Sequence, residues 1–223
     1  MKILAIDIGG SHVKVLLSGE TEYRKADSGP DMTPEKMIEA IRQLTDDWSW
    51  DRIAIGFPAV VKQDRIVTDP VNLGPGWVGF DFEAAFGCPV RMMNDAAMQA
   101  LGSWQGSKML FLGLGTGLGS AMVADGVVLP MELAHLPYRV RGTYEDYLGE
   151  RGRDRMGDNK WRKHVWRVVR LFRAALQPDE VVIGGGNARR LTDAPEGVRL
   201  GANANAFIGA FRLWESPQSR SKG

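Results

Sequence analysis

The chain has 223 residues, of which 44% are hydrophobic and 25% are charged, the balance of an ordinary globular protein. At roughly 150 residues per domain, this length predicts one large domain or two small lobes. The 28 basic and 27 acidic residues leave a net charge of +1, which argues against a protein that wraps nucleic acid.

The single cysteine, Cys88, excludes an internal disulfide and a zinc site made of thiolates alone. One free thiol fits a reducing compartment, so we expect a cytoplasmic protein. The first apolar run is short and is interrupted by Asp7, so it does not resemble a signal peptide. No window approaches 18 uninterrupted apolar residues, and we expect no membrane span.

The hydrophobic pattern predicts a mixed α/β chain. In chain order, the predicted elements are a strand over 2–8, a strand over 13–17, a helix from Thr33-Pro34 to about Trp48, a strand over 52–57, a loop over 69–80, a strand over 90–93, a helix over 96–104, strands over 108–112 and 120–124, a helix over 161–176, a strand over 181–183, a helix over 205–214 and a loose polar tail over 216–223. Thr33 can cap the first helix, and a proline suits its first turn.

A weak internal repeat links the two halves of the chain. A strand, a glycine turn and a second strand occur over 3–17 and again over 109–124. Repeated supersecondary units of this kind predict a duplicated architecture with two similar lobes.

Three glycine turns each follow an apolar strand, at Gly9-Gly10, within Gly113–Gly119 and at Gly184–Gly186. Without a Cβ, the backbone can approach an anion closely, and successive N–H groups form a concave anion site. Each turn taken alone is more often structural, but three together favour a polyphosphate group held at several points. Neither a P-loop nor the dinucleotide-binding pattern of glycines is present, since Leu118 stands where the last glycine would be.

Two aspartates stand at strand ends. Asp7, beside the first glycine turn, is either a turn residue or a Mg²⁺ ligand that acts through water. Asp95 is either the N-cap of the following helix or a general base that accepts a proton from an attacking hydroxyl. Asn94 can hydrogen-bond the same acceptor.

Glu132 and His135 are three residues apart and share a face if the segment is helical. A lone histidine is usually a packed or surface residue. The alternative is polyol binding, because this pair can both donate hydrogen bonds to sugar hydroxyls and accept them.

Five motifs in this order resemble the ROK family of sugar kinases, within the superfamily of acetate and sugar kinases, Hsc70 and actin. The matching segments are Asp7-Ile-Gly-Gly-Ser-His-Val-Lys14, Gly56-Phe-Pro-Ala-Val-Val61 with Asn72-Leu73 and Trp77, Asn94-Asp-Ala-Ala-Met-Gln-Ala-Leu-Gly102, Gly115-Thr-Gly-Leu-Gly119 and Val182-Ile-Gly-Gly-Gly-Asn187. The set is specific, whereas each motif alone is not.

The resemblance implies a two-lobed, actin-like (ribonuclease H-like) α/β fold with a cleft between the lobes. The expected lobes are residues 1–95 and 96–223, the last helix packing back on the first lobe. Asp95 would be the base that activates the 6-hydroxyl of a hexose. The residues expected to hold the sugar are Asn72, Asn94, Glu132, His135 and Glu145. Those expected to hold phosphates are Asp7, Gly9, Gly10, Ser11, Lys14, Gly115, Thr116, Gly117, Gly184, Gly185 and Gly186.

Two departures from the family pattern bear on the phosphoryl donor. The zinc motif C-x-C-G-x-x-G-C is missing, and the chain is short. Both features, and the serine in Asp-Ile-Gly-Gly-Ser, are similar to the polyphosphate glucokinase branch of the family. We therefore expect no zinc site, Mg²⁺ held beside Asp7, either ATP or inorganic polyphosphate as donor, and, by analogy with the family, a homodimer.

The segment from Arg151 to Arg173 carries nine Lys and Arg against two Asp, so its net charge is +7 and that of the remainder is −6. The purely structural interpretation is a solvated helix face, because the basic residues lie opposite the apolar stripe. A patch of this kind would also attract inorganic polyphosphate. Nucleic acid is the weakest option, since no binding motif or aromatic platform accompanies the charge.

The sequence thus predicts a hexose kinase with Asp95 as base. Two alternatives stay open: a non-catalytic sugar- or phosphate-binding protein on the same scaffold, and a kinase for another hydroxyl acceptor, because selectivity among hydroxyl patterns depends on pocket geometry.

Overall fold

A computed structural model describes residues 1–202 and 204–215, so the predicted tail over 216–223 lies outside the described residues. The chain divides into two compact units. Unit 1 comprises Met1–Met98 and the C-terminal residues from Ala206, and unit 2 comprises Gln99–Asn205. Within the described ranges, no helix is both long enough and apolar enough to cross a membrane.

The strands and helices follow the expected mixed α/β order. The strands are β1 Ile3–Ile8, β2 His12–Leu17, β3 Arg24–Asp27, β4 Arg52–Phe57, β5 Val61–Lys62, β6 Arg65–Ile66, β7 Val90–Asn94, β8 Met109–Leu114, β9 Leu118–Ala124, β10 Val127–Met131, β11 Glu180–Gly184 and β12 Val198–Leu200. The α-helices are α1 Pro34–Leu44, α2 Phe82–Phe86, α3 Asp95–Ser103, α4 Tyr144–Leu148, α5 Glu150–Met156, α6 Asp158–Leu176 and α7 Asn205–Glu215.

Unit 1 is built on a five-stranded sheet in the order β3-β2-β1-β4-β7. The first three strands are antiparallel neighbours, whereas β1, β4 and β7 run parallel. Their alternating side chains, such as Ile6 and Ile55, pack with the buried face of α1 and with Trp77 in one hydrophobic core. The parallel strands therefore end together at one edge of a well-packed sheet.

Unit 2 repeats this topology with the order β10-β9-β8-β11-β12. The β8 and β9 strands form the antiparallel hairpin, and β8, β11 and β12 run parallel. Trp161, Val165 and Phe172 of α6 are buried against this sheet, as the helical stripe predicts. The duplicated strand–turn–strand pattern of the sequence corresponds to the same position in both sheets.

The start of α1 is confirmed, but its predicted end is wrong. Thr33 is the N-cap, its hydroxyl accepts the N–H of Lys36, and Pro34 occupies the first turn. The helix ends at Leu44, because Thr45 leaves helical geometry. Trp48 lies beyond the helix and still packs against the core of unit 1. Its burial and its four-residue spacing from Leu44 therefore imitated one more turn of helix.

Candidate active site

The carboxyl edge of the unit 1 sheet collects most of the predicted site residues of that unit. Asp7 on β1 is level with Gly56 on β4, which is level with Met93 on β7. Neighbouring strands lie about 4.8 Å apart, so the backbones of Asp7 and Met93 are separated by roughly 10 Å. The Gly9–Ser11 turn follows β1 and Asp95 follows β7, and both therefore lie at this edge. The crevice outside the carboxyl ends of parallel strands is where α/β proteins bind ligands.

Asp7 is paired with a cation within the β1–β2 hairpin. The two residues Asp7 and Lys14 are directly opposite in the antiparallel register, and the Lys14 ammonium lies 3.3 Å from the Asp7 carboxylate. Both side chains are mostly buried, with exposed fractions of 17% for Asp7 and 31% for Lys14. The hairpin thus presents one anion and one cation beside the turn that follows β1.

Backbone hydrogen bonds fix the Gly9–Ser11 turn. The N–H of Gly9 donates to the carbonyl of His12 at 2.9 Å, and the N–H of Ser28 donates to the carbonyl of Ser11 at 3.0 Å. The Ser28 hydroxyl also donates to the carbonyl of Gly9 at 2.5 Å. A defined turn of this kind keeps its remaining backbone groups in fixed directions.

Asn72 lies directly against that turn. A Cβ added at Gly10 would be 3.1 Å from the Cβ of Asn72, so the glycine permits this close approach. The loop that carries Asn72 is pinned at two places. The Asp69 carboxylate accepts the N–H of Trp77 at 3.0 Å, and the N–H of Gly74 donates to the carbonyl of Met32 at 2.9 Å. The structure therefore brings a predicted sugar residue and a predicted phosphate turn into contact.

Asn94, not Asp95, caps helix α3. The side-chain oxygen of Asn94 accepts the N–H groups of Ala96 at 3.0 Å and Ala97 at 3.3 Å, and its amide donates to the carbonyl of Ala59 at 3.3 Å. Asp95 is the first helical residue, and one of its carboxylate oxygens accepts the N–H of Ala96 at 2.7 Å. The N-cap role that we predicted as one possibility for Asp95 thus belongs to Asn94.

In unit 2, the Gly115–Gly117 turn connects β8 and β9 and is held by two glutamates. The carboxylate of Glu145, on α4, accepts the N–H of Leu118 at 3.2 Å. That side chain lies so close to Gly117 that a Cβ there would be 3.1 Å from its Cδ atom. The N–H of Glu150 donates to the carbonyls of Gly115 and Thr116, both at 3.1 Å. Glu145, expected to bind sugar, is in contact with the predicted phosphate turn.

The third glycine turn shows two different uses of glycine. A Cβ on Gly184 would be 2.6 Å from the ring of Phe111, and Gly185 has φ +83° with its Cα against the carbonyl of Leu114. At Gly186, in contrast, an added Cβ would meet no atom of the described chain within 4 Å. Packing and backbone conformation therefore explain why glycine stands at positions 184 and 185, but they give no such reason at position 186.

Glu132 and His135 pair with each other at the start and end of a 3₁₀ turn, with 3.6 Å between carboxylate and imidazole nitrogen. Both side chains are exposed, at 61% and 70%. The buried Ser120 hydroxyl holds this segment, because it donates to the carbonyl of Met131 at 2.8 Å and accepts the N–H of Leu133 at 3.2 Å. The two side chains are thus presented together from a fixed backbone.

Two residues that hold segments of the unit 2 site were not among the predicted site residues: Ser120 holds the segment of Glu132 and His135, and Asn187 holds the Gly115–Gly117 turn. Ser120 was assigned only to a strand. Asn187, 7% exposed, donates from its side chain to the carbonyl of Gly115 at 3.1 Å and accepts a hydrogen bond from Arg153. The available signal was polarity: a serine inside an apolar strand and an asparagine straight after three glycines are both expected to need buried partners.

Two sheets of this topology with glycine turns at the carboxyl edges define the fold class of the actin-like sugar kinases. Solved structures agree with this class. The inorganic polyphosphate/ATP-glucomannokinase from Arthrobacter sp. strain KM superposes with a TM-score of 0.78 at 23% identity, over 95% of this chain and 97% of that one. A ROK family glucokinase from Streptomyces griseus in complex with glucose and AMPPNP gives a TM-score of 0.71 at 17% identity, over 96% of this chain and 99% of that one.

The model of the ROK family matches residues 3–130, more than half of the chain. The chain therefore belongs to the ROK family. Polyphosphate glucokinase from Mycobacterium tuberculosis (strain CDC 1551 / Oshkosh) is 26% identical over 208 aligned residues, which cover 83% of this chain and 77% of the relative. N-acetylmannosamine kinase from Salmonella typhimurium is 28% identical over 145 residues, 58% of this chain and 50% of the relative. The protein is thus a phosphotransferase whose acceptor is a hydroxyl group of a sugar.

Proposed function

We propose that the protein transfers a phosphoryl group from inorganic polyphosphate or ATP to the 6-hydroxyl of glucose or a closely related hexose. The observation that carries this proposal is the carboxyl edge of the unit 1 sheet, where the Gly9–Ser11 turn follows β1, Asn72 lies against that turn and Asp95 follows β7. The names of the relatives add support, because they combine polyphosphate, ATP and glucose as substrates.

Asp95 acts as the general base in this proposal. The bond between the sugar O6 and phosphorus forms as the bond from phosphorus to the bridging oxygen of the donor breaks. The hydroxyl proton passes to the Asp95 carboxylate, and the products are the sugar 6-phosphate and either ADP or a polyphosphate chain one unit shorter. Phosphoryl transfer needs positioning and charge neutralisation more than covalent help, so one well-placed carboxylate suffices.

The hexose is held by groups that both donate and accept hydrogen bonds. Asn72 supplies an exposed amide beside the phosphate turn, and Glu132 with His135 supplies a carboxylate and an imidazole. The side chain of Asn94 already serves the α3 cap and the carbonyl of Ala59, so its share in sugar binding is the smaller one. Glu145 supports the Gly115–Gly117 turn and so acts on the donor phosphates instead of the hexose.

In unit 1, the backbone N–H groups of the Gly9–Ser11 turn bind donor phosphate. In unit 2, the Gly115–Gly117 turn and Gly186 are the groups that bind phosphate. Asp7 is the residue that would hold Mg²⁺ through water. A single carboxylate fits this ion, because Mg²⁺ is usually bound by one or two carboxylates together with substrate phosphates and water. When bound, the ion neutralises charge on the transferred group. The Lys14 ammonium beside Asp7 offers a second positive charge to the same phosphates.

The test is the initial rate of phosphorylation of a hexose panel, with Mg²⁺ and either ATP or long-chain polyphosphate. Asp95→Ala and Asp95→Asn should lower kcat by about 10²–10⁴-fold, the usual contribution of a general base, and should leave the Kd for the sugar almost unchanged. Asp46→Asn, an exposed carboxylate of unit 1, is the matched control and should retain full activity.

Near-normal kcat in Asp95→Ala would remove Asp95 from the mechanism. Turnover of N-acetylmannosamine in preference to glucose would move the acceptor to an amino sugar. Sugar binding without turnover by either donor would favour a non-catalytic binding protein. The homodimer implied by the family resemblance stays a prediction, to be checked by light scattering on the eluting peak of a size-exclusion column.

A further inference from the structure

Three arginines of unit 2 converge on one imidazole, outside the residues assigned to the reaction. We call Arg139, Arg155 and Arg167 the arginine cluster. They come from the loop after the 3₁₀ turn, from α5 and from α6, and all three are exposed. Burial, and then the positive charges of these three residues, lower the pKa of His164. The geometry agrees: Arg139 and Arg155 lie over the rings of Tyr138 and Tyr147, whose centres are 5.8 and 5.0 Å from that of His164, and Arg167 follows His164 by one turn of α6.

The cluster is held mainly by aromatic and backbone partners. The Arg155 guanidinium donates to the carbonyl of Asp146 at 2.8 Å and lies 5.4 Å from the ring centre of Tyr147. Arg139 lies 5.6 Å from the ring centre of Tyr138, and its backbone has φ +63°, a conformation uncommon for a residue with a side chain. These contacts position the guanidinium groups without neutralising them.

One carboxylate, that of Asp146, opposes the cluster. It accepts hydrogen bonds from the backbone and the hydroxyl of Thr143 at 2.8 and 2.9 Å, and these bonds, with the charges of Arg155 and Arg151, lower its pKa. It is therefore an anion at neutral pH, but it offsets only one of at least three positive charges. A net positive site of this kind attracts a ligand with several negative charges.

A single short helix connects the cluster to the phosphate turn of unit 2. On α4, Glu145 contacts Gly117 and the N–H of Leu118, while Tyr147 packs on His164 with 5.0 Å between ring centres. The helix has 5 residues and is therefore about 7 Å long. A nucleoside triphosphate carries only three phosphates, whereas a chain of repeated phosphates is long enough to extend from the turn to the cluster.

We infer that the arginine cluster binds successive phosphates of an inorganic polyphosphate chain, beyond the phosphates held at the Gly115–Gly117 turn. This inference rests on the proposed function and names a binding surface for one of its two donors. Guanidinium groups suit phosphate oxygens because their N–H donors form a planar fork. Nucleic acid fits less well, since Tyr138 is only 6% exposed and Tyr147 is half-buried and packed on His164, so neither ring is fully open to base stacking.

The kinetic test removes two exposed charges of the cluster and leaves the Arg155 contacts with Asp146 and Tyr147 in place. Arg139→Ser/Arg167→Ser should raise the KM for long-chain polyphosphate about tenfold, the size expected from losing two exposed ion pairs, and should leave kcat and the KM for ATP unchanged. Lys160→Ser/Arg170→Ser removes two exposed charges from α6 and is the matched control. An unchanged KM for polyphosphate, or an equal loss with ATP, would overturn the inference.

A second measurement does not depend on turnover. The chain has three histidines, so the His164 resonance can be assigned by comparison with His164→Gln and followed by NMR against pH. Long-chain polyphosphate should raise the His164 pKa, because bound phosphate offsets the charges of the arginine cluster, and Arg139→Ser/Arg167→Ser should weaken this shift.

The outcomes of the two measurements separate the inference from the proposed function. A raised pKa without turnover of polyphosphate would keep the site and remove polyphosphate as donor. Turnover of polyphosphate with no change at His164 would keep the proposed function and remove the site. An equal shift with a single-stranded oligonucleotide of the same charge would overturn the selectivity inferred for polyphosphate.

Discussion

Two adjacent glycines, Gly185 and Gly186, differ sharply in what a methyl group would meet. At Gly185 the backbone is left-handed and a Cβ would lie 2.7 Å from the carbonyl carbon of Leu114, whereas at Gly186 nothing described lies within 4 Å. Gly185→Ala should therefore lower the free energy of unfolding by about 2–4 kcal/mol, and Gly186→Ala by less than about 1 kcal/mol. Chemical denaturation of both variants measures the difference, and equal losses would contradict this account.

At the same scale, Asn94 and Asp95 illustrate what the sequence could predict of the site. The motif indicated that one of two adjacent polar residues would begin α3, and it named the aspartate as a possible cap. Both residue types cap helices well, so composition does not choose between them. Only the hydrogen bonds from Ala96 and Ala97 to the Asn94 side chain assign the cap.

At the scale of elements, the position of Glu145 on α4 supports a role other than the predicted sugar binding, namely holding the β8–β9 turn. The carboxylate accepts the N–H of Leu118, so Glu145→Ala would leave this donor without its partner and loosen the β8–β9 turn. We expect Glu145→Ala to raise the KM for the phosphoryl donor about fivefold, with little change in the KM for the hexose, since one hydrogen bond contributes about 1 kcal/mol.

Glu145→Gln is the matched variant, because its amide oxygen can still accept from Leu118, and it should stay close to the parent KM for the donor. Initial-rate kinetics with each substrate varied in turn provides the measurement. A raised KM for the hexose in both variants, with the KM for the donor unchanged, would instead support direct sugar binding by Glu145.

Elements with a strong apolar period were predictable, and elements made by pairing or by short loops were not. The apolar stripe of α6 and the alternation in β1 and β8 reflect burial that the sequence alone displays. The edge strand β3, Arg-Lys-Ala-Asp, has no such pattern, because it is half-exposed and owes its conformation to hydrogen bonds with β2. Helix α5 was not predicted either, because its residues are mostly charged and show no apolar period. Its Gly152 nevertheless packs closely on the backbone of Tyr147.

At the scale of the whole molecule, the repeated strand–turn–strand pattern predicted that the chain builds one topology twice. The apolar residues of α7 carry no information about their partners, so the expectation that the last helix packs on the first lobe came from the family resemblance alone. The structure assigns α7 to unit 1 by specific contacts. Arg91 donates to the carbonyl of Leu213 at 2.6 Å, and the indole N–H of Trp214 donates to the carbonyl of Ile53 at 3.2 Å.

Unit 1 therefore contains residues from the first and the last part of the chain, and Trp214 connects α7 to the unit 1 sheet. The centre of its ring lies 4.9 Å from the central guanidinium carbon of Arg52 and 4.5 Å from that of Arg91. Trp214→Ala removes this half-buried ring, its hydrogen bond and two cation–π contacts, which together stabilise unit 1 by about 2–3 kcal/mol. We expect faster amide hydrogen exchange in β4 and β7 of unit 1, and unchanged exchange in β8 and β11 of unit 2.

Trp214→Phe keeps an aromatic ring without the N–H and should lose only about half as much protection. Equal loss in both sheets would mean that the two units unfold as one, and that stability in this chain is not partitioned as its contacts are.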